Sequence, residues 1–255
     1  AGLAFAAVLL AVLCWLFAGK RRTEKAAEAD PDDEPVSNRD VIRSRDLWLL
    51  ALFLFAKYGS QVAFQGLWGV PYIASVYDVS PTTAAGAVTM VAAGYVTAAP
   101  LVGKLADVMA RRGMNPIAAQ RRLLIATTFL YVATWMPIVL APGLLPLSAM
   151  YVLLFVMGIS VSSAGLVFGI AKDLFPAKVS GLAIGLVNIT SILGGAAMPP
   201  VVGWFIKRLT ASGIQGGAVY SRAMVPCLLA ACVGLILLSM VGRTAGRRLR
   251  PGYPA

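Results

Sequence analysis

The stretch Gly103-Lys104-Leu105-Ala106-Asp107-Val108-Met109-Ala110-Arg111-Arg112 sets a lysine, an aspartate and two arginines between two long apolar runs. The run before it starts at Ser80-Pro81, a helix-start pattern with proline in the first turn, and lasts to about Val102. The run after it leads from Arg121 and Arg122 to about Ala141. Each is near the 20 residues that a helix needs to cross a hydrocarbon core of about 30 Å. A charge-dense turn between two such runs is a loop that joins two membrane spans at one face of a bilayer.

Composition agrees. The chain is 59% hydrophobic and only 13% charged, against about a quarter charged in a soluble domain. Only helices and closed barrels satisfy their own backbone in lipid, and continuous apolar runs exclude barrel strands, which alternate. The class is all-α integral membrane. A net charge of +11 could suggest nucleic acid, but the basic residues cap apolar spans and no soluble face interleaves them with aromatics, so nucleic acid is excluded as a partner. Cys14, Cys227 and Cys232 lie in apolar runs without metal or redox spacing and read as small core residues. The chain has no histidine and no paired carboxylates in a span. Neither a metal site nor a cofactor nor an enzymatic constellation is expected.

Ala1 to Ala18 is an apolar run whose basic residues, Lys20, Arg21 and Arg22, follow it. A signal peptide carries its charges first. Residues 1–19 therefore read as a transmembrane helix whose upstream partners lie outside this sequence, and the chain reads as a piece of something longer. Residues 20–46 hold most of the acids (Glu24, Glu28, Asp30, Asp32, Asp33, Glu34, Asp40 and Asp46) with Pro31 and Pro35 between them. Such a stretch cannot bury a core and is expected to be a disordered charged linker.

Six further spans follow in residues 47–242. They run from Leu47 to about Val70, from Ser80 to about Val102, from Arg122 to about Ala141, from Leu147 to Ile170, from Gly181 to Phe205 and from about Ala223 to Val241. The Pro142-Gly143-Leu144-Leu145-Pro146 segment makes a sharp reversal. Residues 243–255 form a basic tail.

Orientation follows from Lys and Arg in alternate loops. One side collects the linker residues, Lys104, Arg111, Arg112, Arg121, Arg122, Lys172, Lys178 and the tail residues Arg243, Arg247, Arg248 and Arg250. The other side has only Lys207, Arg208 and Arg222. The linker, the charged loop and the C-terminal tail are expected to be cytoplasmic, in an inner or plasma membrane.

The charged loop resembles the G-x-x-x-D-[RK]-x-G-[RK]-[RK] signature of the major facilitator superfamily, matching at Gly103, Asp107, Arg111 and Arg112 and departing at Val108 and Ala110. Gly181-Leu182-Ala183-Ile184-Gly185 through Asn188 and Gly194-Gly195 to Pro199-Pro200 and Gly203 is similar to that family's eleventh helix. Phe64-Gln65-Gly66-Leu67-Trp68-Gly69-Val70-Pro71-Tyr72 resembles the end of its seventh. The resemblance implies a major-facilitator-like six-helix bundle plus one preceding transmembrane helix, that is, the last helix of a first half, the central loop and the second half. In that family two such bundles rock about a midplane substrate site. The implied partners are the lipid bilayer, a small-molecule substrate and the first half of the same transporter.

Lys57 lies about ten residues into its span, near 15 Å deep at 1.5 Å per residue, where a charge costs at least about 2.5 kcal/mol. Gln61 and Gln65 follow at four-residue steps and share its face. Two readings stand: a polar pathway face for a polar or anionic substrate, or a structural pair between Lys57 and a carboxylate of the first half. Asn188 either faces the same cavity or bonds between helices. Gly165 with Gly169, and Gly181 with Gly185, have the small-xxx-small spacing of helix packing. The resemblance implies that Gly103, Asp107, Arg111 and Arg112 latch the cytoplasmic helix ends in one state of the cycle, the other reading being a solvated turn that anchors topology. The expected function is secondary active transport of a small solute by alternating access, by symport or antiport. A non-transporting sensor on the same fold is the alternative.

Overall fold

The structure is a computed structural model and describes residues 36–241. The expected span 1–19, most of the linker and the tail 243–255 lie outside the described residues. Among those described, every regular element is helical. A short helix α1 (Asn38–Arg43) is followed by six helices long and apolar enough to cross a membrane. These are α2 (Arg45–Tyr77), α3 (Pro81–Arg111), α4 (Pro116–Leu140), α5 (Leu147–Asp173), α6 (Ala177–Ala211) and α7 (Gly217–Met240). The chain is thus a multi-pass membrane protein, with apolar side chains such as Val96, Leu101, Phe129, Leu140 and Ile236 turned outward from the bundle, where lipid rather than water is the solvent.

The helices outrun the apolar runs that announce them. The charged stretch is no loop. Helix α3 continues through Gly103 to Arg111, because its Ala, Leu, Met, Lys and Arg are good helix formers. It stops one step later at Gly113, whose φ of +91° closes a Schellman motif in which Gly113 N–H donates to the Ala110 carbonyl and Met114 N–H to that of Met109. At 31 residues α3 is about 46 Å long, so its charged end stands clear of a core of about 30 Å.

The expected disordered linker also ends early. Ser37 and Asp40 form a reciprocal capping box that starts α1, Val41 is fully buried, and Ser44 caps α2 through the Leu47 N–H. Buried Val41, with Val36 packed on the same cluster, docks this segment on the bundle.

The six spans form two three-helix units, α2–α4 and α5–α7, that exchange helices. The first helix of each unit packs most extensively on the second helix of the other, α2 on α6 and α5 on α3, and the third helices α4 and α7 meet each other and the opposite unit's first helix. Both crossings are glycine contacts. A Cβ on Gly59 would stand 2.7 Å from the Gly194 carbonyl oxygen, and one on Gly194 would overlap the carbonyl of Phe55. At the other crossing a Cβ on Gly94 would overlap the Phe155 carbonyl, and one on Gly158 that of Val91. Because successive spans alternate in direction, the two units enter the membrane from opposite sides.

Of the glycine pairs expected to pack, one member lies close against a neighbouring helix among the described residues: Gly169, against Gln120 of α4. Nothing lies within 4 Å of the Cβ position at Gly165, Gly181 or Gly185. Small-xxx-small spacing marks a flat helix face; whether another helix lies on it depends on rotation about the axis, which spacing does not set.

Replacing Gly94 or Gly194 by Leu should therefore lower stability by about 1–3 kcal/mol. Gly181→Leu should leave it within about 0.5 kcal/mol, as read by thermal unfolding of the solubilised protein.

Candidate functional site: a polar layer across the bundle

The apolar core falls into two clusters. One gathers Phe64, Tyr72, Trp135, Met157 and Val161, the other Phe53, Leu54, Leu124, Val167 and Ile170. Between them lies a layer of buried polar side chains from α2, α4 and α5: Lys57, Ser60, Thr128, Ser160 and Ser163.

Lys57 is its centre and is 1% exposed. Its Nζ donates to the Ser160 carbonyl at 3.0 Å, to Ser163 Oγ at 3.2 Å and to Thr128 Oγ1 at 3.4 Å. The Phe53 and Tyr131 rings stand 5.6 and 5.7 Å from it, within cation–π range. Among the described residues it makes no ion pair. Thr127 Oγ1 reaches Ser163 Oγ at 2.7 Å, and the Ser60 hydroxyl and Tyr131 OH share a bond of 2.9 Å that closes the layer on the α2 side.

Helix α5 is built for this contact. It breaks at Ser162–Ser163, between the segments Leu147–Val161 and Ala164–Asp173. Carbonyls at the end of a helical segment lack their i+4 partner, and the Ser160 carbonyl takes the lysine. Ser160, Ser162 and Ser163 each bond back to a carbonyl three residues earlier, which satisfies the hydroxyls locally in an apolar span.

Lys57 thus points into its own bundle, and the expected shared face divides. Four residues advance a helix by about 40° beyond a full turn, so Gln61 and Gln65 drift out of the core while Lys57 stays in it. Both glutamines are half-buried and bond each other, Gln61 Nε2 to Gln65 Oε1 at 3.1 Å. Asn188 is exposed, but at a different height. Gly59 abuts Gly194 and, further along, Trp68 abuts Gly203, so α2 and α6 run in the same direction. Asn188 then sits about 9 Å before that crossing and Gln61 about 3 Å past it at 1.5 Å per residue.

The glutamines border a feature that apolar periodicity does not announce. Residues Ala63–Trp68 form a π-helical turn, with Gly69 N–H donating to the Phe64 carbonyl. Such turns are frequent at functional sites. This one lets Pro71 sit inside α2, which the sequence reading ends at that proline: the hydrogen-bond ladder has slipped to i→i−5 and leaves room for the ring. The turn aims Trp68 Nε1 at the Pro199 carbonyl of α6, 3.0 Å away.

At the basic end Gly103 is half-buried, and Asp107, Arg111 and Arg112 are exposed. None of the three charged side chains has a hydrogen-bond or ion-pair partner among the described residues. Next to them Gln120 Nε2 donates to Asp173 at 3.2 Å and Arg121 Nη2 to the Ser239 carbonyl at 2.7 Å, tying α4 to α5 and to the end of α7. Ser60, Thr127, Thr128, Tyr131, Ser160 and Ser163 are members of this polar layer that apolar periodicity does not announce. The adjacent threonines and the Ser160-Val161-Ser162-Ser163 cluster in apolar spans were the available signal.

A Cβ on Gly69 would stand 2.7 Å from the Phe64 carbonyl, whereas one on Gly66 meets only Val62 at 3.7 Å. Gly69→Ala should therefore displace the π turn and destabilise by about 1–3 kcal/mol, with Gly66→Ala near neutral, measured by thermal unfolding of the solubilised protein. No protein-family model matches the chain and no curated protein matches it, so function has to be read from these residues and their placement.

Proposed function

We propose that the chain is a span, the central linker and the second half of a secondary active transporter of the major-facilitator kind, and that it moves a small polar solute by alternating access. The observation that carries this reading is the exchange of helices between two units that enter the membrane from opposite sides. In transporters such inverted repeats surround a midplane site and move against a facing bundle. Gln61 and Gln65 on α2, with Asn188 lower on α6, would form this half's wall of the pathway, offering amide donors and acceptors to the solute. Lys57 stands behind that wall. An anionic group on the solute would then meet its counter-charge on the first half.

Asp107, Arg111 and Arg112 are the gating residues of this proposal. Exposed at the end of a long helix, they are free to latch onto the first half in one state and release it in the other. The abundance of Lys and Arg at that end makes it the cytoplasmic one, in an inner or plasma membrane.

Uptake of radiolabelled polar and anionic solutes into vesicles bearing the full-length protein tests the reading. Gradient-dependent uptake is expected, reduced at least tenfold by Gln61→Ala with Gln65→Ala. Asp107→Asn should slow uptake while leaving insertion unchanged. Uptake equal to that of empty vesicles for every solute class would remove the transport reading in favour of a sensor.

The orientation has its own check. With Cys14, Cys227 and Cys232 replaced by alanine, a cysteine placed near Gly213 should react with an impermeant thiol reagent in intact cells, and cysteines in the linker or after Arg243 should not. A labelled linker inverts the assignment.

A further inference from the structure

The layer around Lys57 has the chemistry of a cation site. Three oxygens face Nζ at 3.0–3.4 Å, one carbonyl and two hydroxyls. An ammonium has three N–H donors and no acceptor, and all three oxygens can accept from it, the Thr128 hydroxyl being the one that could also donate. The Ser160 carbonyl can only accept. Ser163 Oγ already directs its own proton toward that carbonyl at 3.1 Å, so it presents a lone pair to Nζ. Phe53 and Tyr131 turn their rings to the same point at 5.6 and 5.7 Å, and a desolvated ring face favours a cation. No carboxylate among the described residues takes part.

The oxygens also belong to one mechanical element. Ser160 lies in the last turn of the first segment of α5, which ends at Val161, and Ser163 precedes the second, so a cation here bonds both sides of the break at once. Thr128 adds α4, and the lysine stem adds α2.

We propose that this oxygen cage is a monovalent-cation site on the broken helix α5, and that Lys57 occupies it as a cation tethered to α2. The ligand class is a small primary ammonium or an alkali ion, supplied within the chain in place of one taken from solution. Its occupancy holds α5 in the broken form and couples α2 to it.

Chemical rescue tests it. Lys57→Ala opens both the cage and the channel of the side-chain stem. The purified full chain carrying it should unfold several degrees lower than wild type, since 1 kcal/mol shifts Tm by about 2–4 °C at this size. Ethylammonium should restore at least half of that loss, while ethanol, which is neutral and of similar size, and choline, which is too large, should not; wild type should ignore all three. Equal recovery with ethanol would overturn the proposal by showing that only the cavity matters. Lys57→Met, which keeps the stem without the charge, gives the second readout. Spin labels at Val152 and Lys172, both exposed and on opposite sides of the break, should report a longer or broader distance in the methionine variant as α5 straightens. A wild-type distance distribution together with a wild-type Tm in Lys57→Met would equally overturn it.

Discussion

An amine buried among apolar helices has to be solvated by the protein itself, because no water is available to do so and a charge at that depth costs several kcal/mol. Lys57 meets this demand with neutral groups only: a carbonyl, two hydroxyls and two ring faces. Much else in the bundle follows from supplying them. The carbonyl comes free because α5 is broken at Ser162–Ser163. The hydroxyls require polar residues on α4 and α5 in the middle of apolar spans, and these divide the core into two apolar clusters. A polar layer of this kind fixes the relative height of three helices. Lipid-immersed apolar surfaces do not, since sliding along one another costs them little when every side is equally apolar.

The glycine crossings set the second constraint. With α2 against α6 and α3 against α5 at backbone contact, each unit's first helix is held by the other unit. Neither three-helix unit can separate without exposing bare backbone at Gly59, Gly94, Gly158 or Gly194. The crossings are held by packing and the layer beside them by hydrogen bonds. These are different forces with different tolerances. Packing at backbone contact admits no added methyl group, whereas a hydrogen-bond layer can exchange partners.

The existence and number of the six spans were legible because apolar runs of the required length have no other use. Their ends were not. Helix α3 passes Gly103 and stops at Gly113, since a lone glycine costs a helix only about 1 kcal/mol while a glycine that adopts positive φ ends it. The capping box at Ser37 and Asp40 was readable in the sequence, yet the surrounding acids and prolines outweighed it. The depth of Lys57 was legible, but not its direction. The drift of about 40° per four residues separates a core lysine from two partly exposed glutamines, and which of them meets a neighbouring helix is a tertiary fact. The same holds for the glycines. Spacing pointed to Gly165, Gly169, Gly181 and Gly185, of which Gly169 lies close against Gln120, whereas the backbone-to-backbone crossings are made by Gly59, Gly94, Gly158 and Gly194, which lie wherever the crossing helices happen to touch.

The length of α3 makes it a lever as well as a span. Its fulcrum is the crossing at Gly94, held against the backbone of α5, and the helix continues past Pro100, with Ala98 and Ala106 buried, to Arg111, about 26 Å away at 1.5 Å per residue. A tilt of about 5° at the fulcrum sweeps the tip by about 2 Å, enough to make or break a charged contact that must close to within about 4 Å. A motion too small to disturb the packed crossing would thereby be magnified at Asp107 and Arg111, which are exposed.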